Sequence, residues 1–207
     1  MHSKYKVVLF DVDGVLLLPP KLFSVQYCEK YGVDAELQEQ FYRTKEFKDS
    51  LLGKFDLKEA IRLHDDKWQW QGDIDDLLQM WFMGEDYPNE PLLDVVKQLR
   101  AAGTKVFLAT QQEQYRKSHL RDVTFKDKID GIFCSCDIGY GKDEDHFWEA
   151  VLHEIKNMNP RIEPAGIAYY DDRQSLVELA RRHGVTAFLY ENVDKVQKEA
   201  LSLVAKK

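Results

Sequence analysis

The sequence predicts a doubly wound α/β fold with a parallel sheet and a helical domain inserted after its first strand, and three observations predict it. Short apolar segments recur at residues 5–10, 105–109, 131–134, 166–170 and 186–190. They are continuous rather than alternating, as strands covered on both faces of a parallel sheet must be. Amphipathic helical patterns separate the later segments, the alternation that builds such a sheet. Finally, residues 19–88 carry no strand pattern at all, and so long a stretch is more than a simple crossover.

Taken in order, Tyr5-Lys6-Val7-Val8-Leu9-Phe10 forms the first strand and ends in Asp11-Val12-Asp13-Gly14. Within the strand-free interval, helices are expected near residues 21–31, 34–48, 56–67 and 73–83. Pro91 then opens a helix through Leu99 and Arg100 that stops at Gly103, because proline suits the first turn and glycine the end. The strand at 105–109 leads into Thr110 and Gln111, and the strand at 131–134 leads, after a few residues, into Gly141 and Lys142. The strand at 166–170 ends in Asp171-Asp172, and a helix follows from Leu176 to Gly184 with Arg181, Arg182 and His183 in its last turn, where the helix dipole favours cations. On this division residues 1–18 and 89–207 make the α/β core, and 19–88 make the inserted domain.

Composition narrows the function. The 207 residues carry a net charge of −7, with no basic excess to neutralise phosphates, so nucleic acid is not an expected partner. No apolar run approaches the ~20 residues that span a bilayer, so no membrane is expected either. The chain leads straight into a strand without a secretory leader pattern. Its three cysteines, Cys28, Cys134 and Cys136, lack zinc or redox-pair spacing. A cytoplasmic setting with reduced thiols is the expectation. Nothing in the sequence speaks to oligomeric state.

In an open α/β sheet the ligand site lies beyond the carboxyl ends of the strands, where strand order reverses. Asp11 and Asp13, Thr110 and Gln111, Lys142, and Asp171 and Asp172 all follow such ends. Four carboxylates on one rim call for a hard cation, and oxygen ligands favour Mg²⁺. A carboxylate aimed at phosphorus can act as a nucleophile, and a partner two residues on can protonate the leaving oxygen and then activate water. Thr110 supplies a hydroxyl and Lys142 a point charge for the phosphoryl oxygens.

Asp11-Val12-Asp13-Gly14, the apolar strand ending in Thr110, Lys142, and Asp171-Asp172 ahead of Leu176-Val177-Glu178-Leu179-Ala180 resemble the four motifs of the haloacid dehalogenase (HAD) superfamily. The resemblance extends over the whole chain and implies a Rossmann-like core with a helical C1 cap over residues 19–88. It implies that Asp11 is the nucleophile and Asp13 the general acid/base, and that Thr110, Gln111 and Lys142 bind phosphate. It also implies Mg²⁺ held by the side chains of Asp11 and Asp172 and the backbone carbonyl of Asp13, with Asp171 behind them. Asp13 marks phosphatases and phosphomutases rather than dehalogenases. The expected activity is Mg²⁺-dependent hydrolysis of a small phosphorylated metabolite, with a phosphomutase or an inactive ligand-binding relative as alternatives. Two features depart from the pattern: Asp143-Glu144-Asp145 follows Lys142 in place of Pro-x-Pro, and Gln111-Gln112 follows Thr110.

The remaining conspicuous residues have simpler expected roles. Arg43, Lys45, Lys48, Lys54 and Lys67 read as solvated helix faces, and Trp68 and Trp70 as packing in the insertion. Arg116, Lys117, Arg121 and Lys126 read as a solvated basic stretch, Tyr169-Tyr170 as strand core, and Asp143 as a helix cap. His64, His119 and His146 have no metal-ligand spacing.

Overall fold

Each apolar segment can bury both faces, and each becomes a strand. In the computed structural model, which describes residues 2–202, the strands β2 (Val7–Phe10), β3 (Lys105–Thr110), β4 (Gly131–Cys134), β5 (Ile167–Asp171) and β6 (Thr186–Leu189) form one sheet. Its order is β4-β3-β2-β5-β6, and every neighbouring pair is parallel. Strand order therefore reverses at β2. A small antiparallel pair, β1 (His2–Ser3) with β7 (Leu201–Ser202), ties the two ends of the described chain together. Residues 1 and 203–207 of the expected core domain lie outside the described residues.

The period-two alternation of β2 divides the core. Val8 and Phe10 face a layer containing α7 (Glu90–Ala101) and α12 (Val193–Ala200). Val7 and Leu9 face the opposite layer, with α10 (Asp145–Met158) and α11 (Gln174–Arg182). Tyr169 continues the second face and Tyr170 the first. This parity later puts Asp11 and Asp171 on the Lys142 side of the sheet.

The strand-free interval is helical: α1 (Phe23–Tyr31), α2 (Ala35–Arg43), α3 (Lys45–Leu51), α4 (Leu57–Leu63), α5 (Asp65–Trp68) and α6 (Ile74–Glu85). Two expected helices are each broken in two. Thr44 adopts an extended backbone (ψ 154°), ending α2 and capping α3 through its hydroxyl, which accepts from the Phe47 N–H. His64 (φ −124°, ψ 39°) interrupts the second. Asp34, Asp56 and Asp73 cap α2, α4 and α6 in the same way, each satisfying amide groups that a helix start leaves free.

The helices share a core of their own, built from Phe23, Tyr27, Phe41, Leu77, Trp81 and others around Trp68, which is completely buried. Truncating a buried tryptophan of this kind to alanine typically costs about 3–5 kcal/mol, so the expected packing role of Trp68 accounts for its place. The expected solvated cations Arg43 and Lys45 are on the outside, paired with Glu39 and Asp49, whereas the Lys67 side chain is largely covered and pairs with Asp66. No helix among the described residues is long and apolar enough to cross a membrane.

Candidate active site

Asp11 is the first residue past β2, and its N–H donates to the Tyr170 carbonyl at 2.9 Å, which holds it against β5. The carboxylate is buried and meets the Lys142 ammonium at 2.6 Å. Lys142, only 1% exposed, also reaches Asp171 at 2.8 Å. Asp171 is completely buried; it accepts from the Tyr169 hydroxyl and, at 2.8 Å, from the Arg173 N–H. Asp172 is exposed at the mouth. Asp11, Asp171 and Asp172 bring carboxylate oxygens within 4.8 Å of one another.

One ammonium thus serves more than one buried carboxylate. Burial pushes the Asp11 carboxyl up to about 7, with the Lys142 charge opposing the rise and Asp171 adding to it. Burial acts the same way on Asp171, but Lys142, the Tyr169 hydroxyl and the Arg173 N–H outweigh it and hold that carboxyl below the usual range. Burial and the adjacent Asp171 raise Asp172. A divalent cation would relieve this excess of negative charge, and an all-oxygen donor set suits a hard ion.

Gly14 makes the arrangement possible. Its φ of +80° is in the left-handed region, and a Cβ there would overlap the Asp172 carboxylate. Gly14→Ala is therefore expected to destabilise the chain by about 1–3 kcal/mol and to weaken divalent-cation binding. Urea denaturation and calorimetric titration would check both outcomes.

Asp13 belongs to a different set of contacts. The regular strand ends at Phe10, so the alternation does not extend to Asp13. Its carboxylate accepts from Gln112 Nε2 at 2.6 Å and from Arg116 Nη2 at 2.8 Å. Gln112 Nε2 also reaches Thr110 Oγ1 at 3.3 Å, at the buried end of β3. The Gln111 side-chain oxygen accepts from the Lys142 N–H at 3.2 Å. The structure therefore gathers Asp11, Lys142, Asp171 and Asp172 directly, and links Asp13 to Thr110 through Gln112.

Arg116 and Asp143 depart from the sequence expectation, and Tyr169 meets it while adding a contact. Arg116 is not solvated: it is 5% exposed and pairs with Asp13 and with Glu85 of α6. It lies on the inner side of α8 (Gln114–His119), and only a helical wheel anchored on that short helix could have revealed it. Tyr169 is buried in the strand as expected, but its hydroxyl belongs to the Asp171 cluster; the two-residue spacing to Asp171 on one face was the available signal. Asp143 does not cap α10. Glu144 takes the N-cap position, and its carboxylate accepts from the Gly141 N–H at 2.8 Å. The acids after Lys142 are exposed, whereas Lys142 points inward.

Between the sheet and the inserted helices lies a cleft of about 340 Å³. Asp13, Gln112 and Arg116 line it from the core, and Tyr42, Phe47 and Trp81 are among the residues lining it from the helices. A hollow of about 430 Å³ opens at the amino ends of the strands, where Lys105 and Asp130 form an ion pair; ligands of such sheets bind at the other end.

A family model described as haloacid dehalogenase-like hydrolase matches residues 5–184. No curated protein matches the sequence. Among solved structures, a HAD family enzyme from Bacteroides thetaiotaomicron in complex with magnesium and inorganic phosphate superposes with a TM-score of 0.73 at 18% identity, over 90% of this chain and 94% of that one. A HAD phosphatase from Thermococcus onnurineus superposes at 0.67 and 18% identity, over 93% and 96%. HAD-hydrolase YfnB from Bacillus subtilis, bound to magnesium and described as revealing interdomain movement, superposes at 0.61 and 15% identity, over 94% and 97%.

Proposed function

We propose that this chain, which belongs to the haloacid dehalogenase-like hydrolase family, is a Mg²⁺-dependent phosphatase of small phosphomonoesters. The observation that carries the reading is the pairing of two differently placed carboxylates. Asp11 is buried beside Lys142 and the other acids, while the Asp13 side chain is 55% exposed at the cleft. A halide leaves without a proton, so dehalogenation needs no acid at the departure step. An alkoxide leaving from phosphorus must be protonated, and Asp13 is available for that.

In this reading Asp11 Oδ attacks phosphorus as the bond to the ester oxygen breaks, and Asp13 gives its proton to the departing oxygen. Asp13 then takes a proton from water, which hydrolyses the aspartyl-phosphate and frees Asp11. Thr110 and Lys142 offset charge on the phosphoryl oxygens, and Gln111 keeps the Lys142 backbone in place. Asp11, Asp172 and the Asp13 carbonyl would hold Mg²⁺, with Asp171 behind them. When bound, the ion would reduce the repulsion between nucleophile and phosphate. The magnesium in the complexes of the Bacteroides and Bacillus relatives supports this choice.

Residues 19–88 would act as a cap over a core of residues 1–18 and 89–207. The interdomain movement described for YfnB supports a cap that opens and closes. Leu22, Tyr42, Phe47, Leu51 and Trp81 give the cleft its apolar wall, Asp13 and Glu85 add negative charge, and the one lining cation, Arg116, is already paired with those two acids. Esters without a second anionic group should therefore be preferred.

Release of free phosphate from a panel of phosphomonoesters, with magnesium and with EDTA, tests the reading. Stoichiometric release abolished by EDTA is expected. Turnover indifferent to EDTA, or transfer without free phosphate, would overturn it. A pH dependence also follows. Since burial raises Asp11 to about 7, an ion binding below that pH must expel a proton. Apparent magnesium affinity should rise by about tenfold per pH unit below pH ~7 and level off above it. Calorimetric titration across that range would show the slope, and a flat profile would remove Asp11 from the metal site.

A further inference from the structure

Arg116 is a buried cation that the proposed chemistry does not use, and its contacts reach both parts of the molecule. Nη2 donates to Asp13 Oδ1 at 2.8 Å, and Nη1 donates to Glu85 Oε2 at the end of α6. Glu85 is itself anchored on the helical side, accepting from the Phe23 N–H at 2.8 Å and from Trp81 Nε1 at 3.3 Å. On the core side, the Glu113 carboxylate accepts from the Tyr115 and Arg116 N–H groups, both at 2.6 Å, and caps α8. The guanidinium is therefore held at both ends. It spans from the first turn of α1 and the last turn of α6, through Glu85, to the Asp13 carboxylate on the core side of the cleft.

We propose that Arg116 is a positioning residue for Asp13: with Gln112 it fixes the carboxylate of the proton donor, and through Glu85 it ties that carboxylate to the seating of the inserted helices. The inference rests on the phosphatase reading and deepens it. A half-exposed aspartate has several rotamers open to it. Two donors on its two oxygens select one, and the planar fork of an arginine reaches Asp13 and Glu85 from one rigid group, which a lysine cannot do. Proton transfer needs the donor within hydrogen-bond reach of the leaving oxygen, so loss of the anchor should harm that step and spare others. Shifting the helices should act on the same step through Glu85.

The test uses the dependence on leaving group, because an ester that leaves easily does not need the acid. p-Nitrophenyl phosphate and benzyl phosphate serve as the probes, with kcat/KM read so that only steps through the first bond cleavage count. Arg116→Met is expected to lose about 10²-fold or more on benzyl phosphate and less than about tenfold on p-nitrophenyl phosphate. Retained p-nitrophenyl phosphate turnover doubles as proof of folding. Arg116→Lys should recover part of the loss. Glu85→Gln should show the same selectivity with smaller size. In an Asp13→Ala background, Arg116→Met should change benzyl phosphate turnover by less than about twofold, because both changes act through one group.

If Arg116→Met fails to fold, Arg116→Lys and Glu85→Gln carry the test. Equal losses on both esters, no loss on either, or full additivity with Asp13→Ala would overturn the role of Arg116. Absence of turnover on every ester by the wild type is a different result, and it would overturn the phosphatase reading itself.

Discussion

Asp11→Asn is expected to lower kcat/KM for every phosphomonoester by about 10⁴-fold or more, the scale on which removal of a covalent nucleophile is felt, while the chain stays folded. The fold should not suffer, because the ionised Asp11 carboxylate is a cost to the native state. Burial raises its folded pKa to about 7, above the ordinary value near 3.9 in an unfolded chain. Between those two values the folded chain binds more protons, so this group's contribution to stability falls as pH rises from about 4 through 7. In the presence of EDTA, the melting temperature of Asp11→Asn should therefore be no lower than wild type at pH ~8, and its advantage should shrink at pH ~5. Differential scanning calorimetry at the two pH values, beside phosphate release, would show both effects. Residual turnover within about tenfold of wild type would remove Asp11 as nucleophile.

Lys142→Met is expected to be the most destabilising change at the site. The ammonium is 1% exposed and sits 2.6 Å from Asp11 and 2.8 Å from Asp171. Without it, two carboxylates are left buried together with no cation between them. Removing one member of a buried ion pair typically costs about 3–5 kcal/mol. For a chain of this length that is a fall of roughly 6–20 °C in Tm, at 2–4 °C per kcal/mol. The loss should be smaller at pH ~5, where Asp11 takes up a proton and the repulsion is relieved. Magnesium should raise the Tm of the variant more than that of the wild type, since the ion replaces part of the missing charge. Thermal melts with and without magnesium would test this, and a variant as stable as wild type at pH ~8 would show that Lys142 is not holding the acids together.

Much of the α/β core was legible in the sequence. The strands at 105–109, 131–134, 166–170 and 186–190 differ from those observed by a residue at most at either end. Continuous apolar runs bounded by glycine, proline or polar residues admit few other readings. The helices of residues 19–88 were legible as helices but not in number. The breaks at Thr44 and His64 occur inside stretches whose periodicity continues across them. At Thr44 the capping hydroxyl takes over from a hydrogen bond the helix would have made; His64 makes no such cap, and there the backbone alone turns out of the helix.

The site was legible only in part. Asp11, Asp13, Thr110, Lys142, Asp171 and Asp172 each follow a strand, and the topology of a parallel sheet brings strand ends to one rim. Arg116 and Gln112 follow a strand too, but nothing local distinguishes the buried Arg116 from the exposed Arg121 five residues later. The difference is made by Glu85, which is 31 residues away in sequence and lies across the cleft.

The sequence by itself thus determined the strand order's ingredients, the helical nature of the insertion, and the set of acids and the ammonium at the strand ends. These depend on short-range periodicity and on which residues terminate a strand. Only the tertiary structure decided how the charges are divided among partners: Lys142 with Asp11 and Asp171, and Arg116 with Asp13 and Glu85. Such pairings depend on burial and on approach between segments distant in sequence, and Coulomb interactions gain their strength only where water is excluded. No local pattern encodes that exclusion.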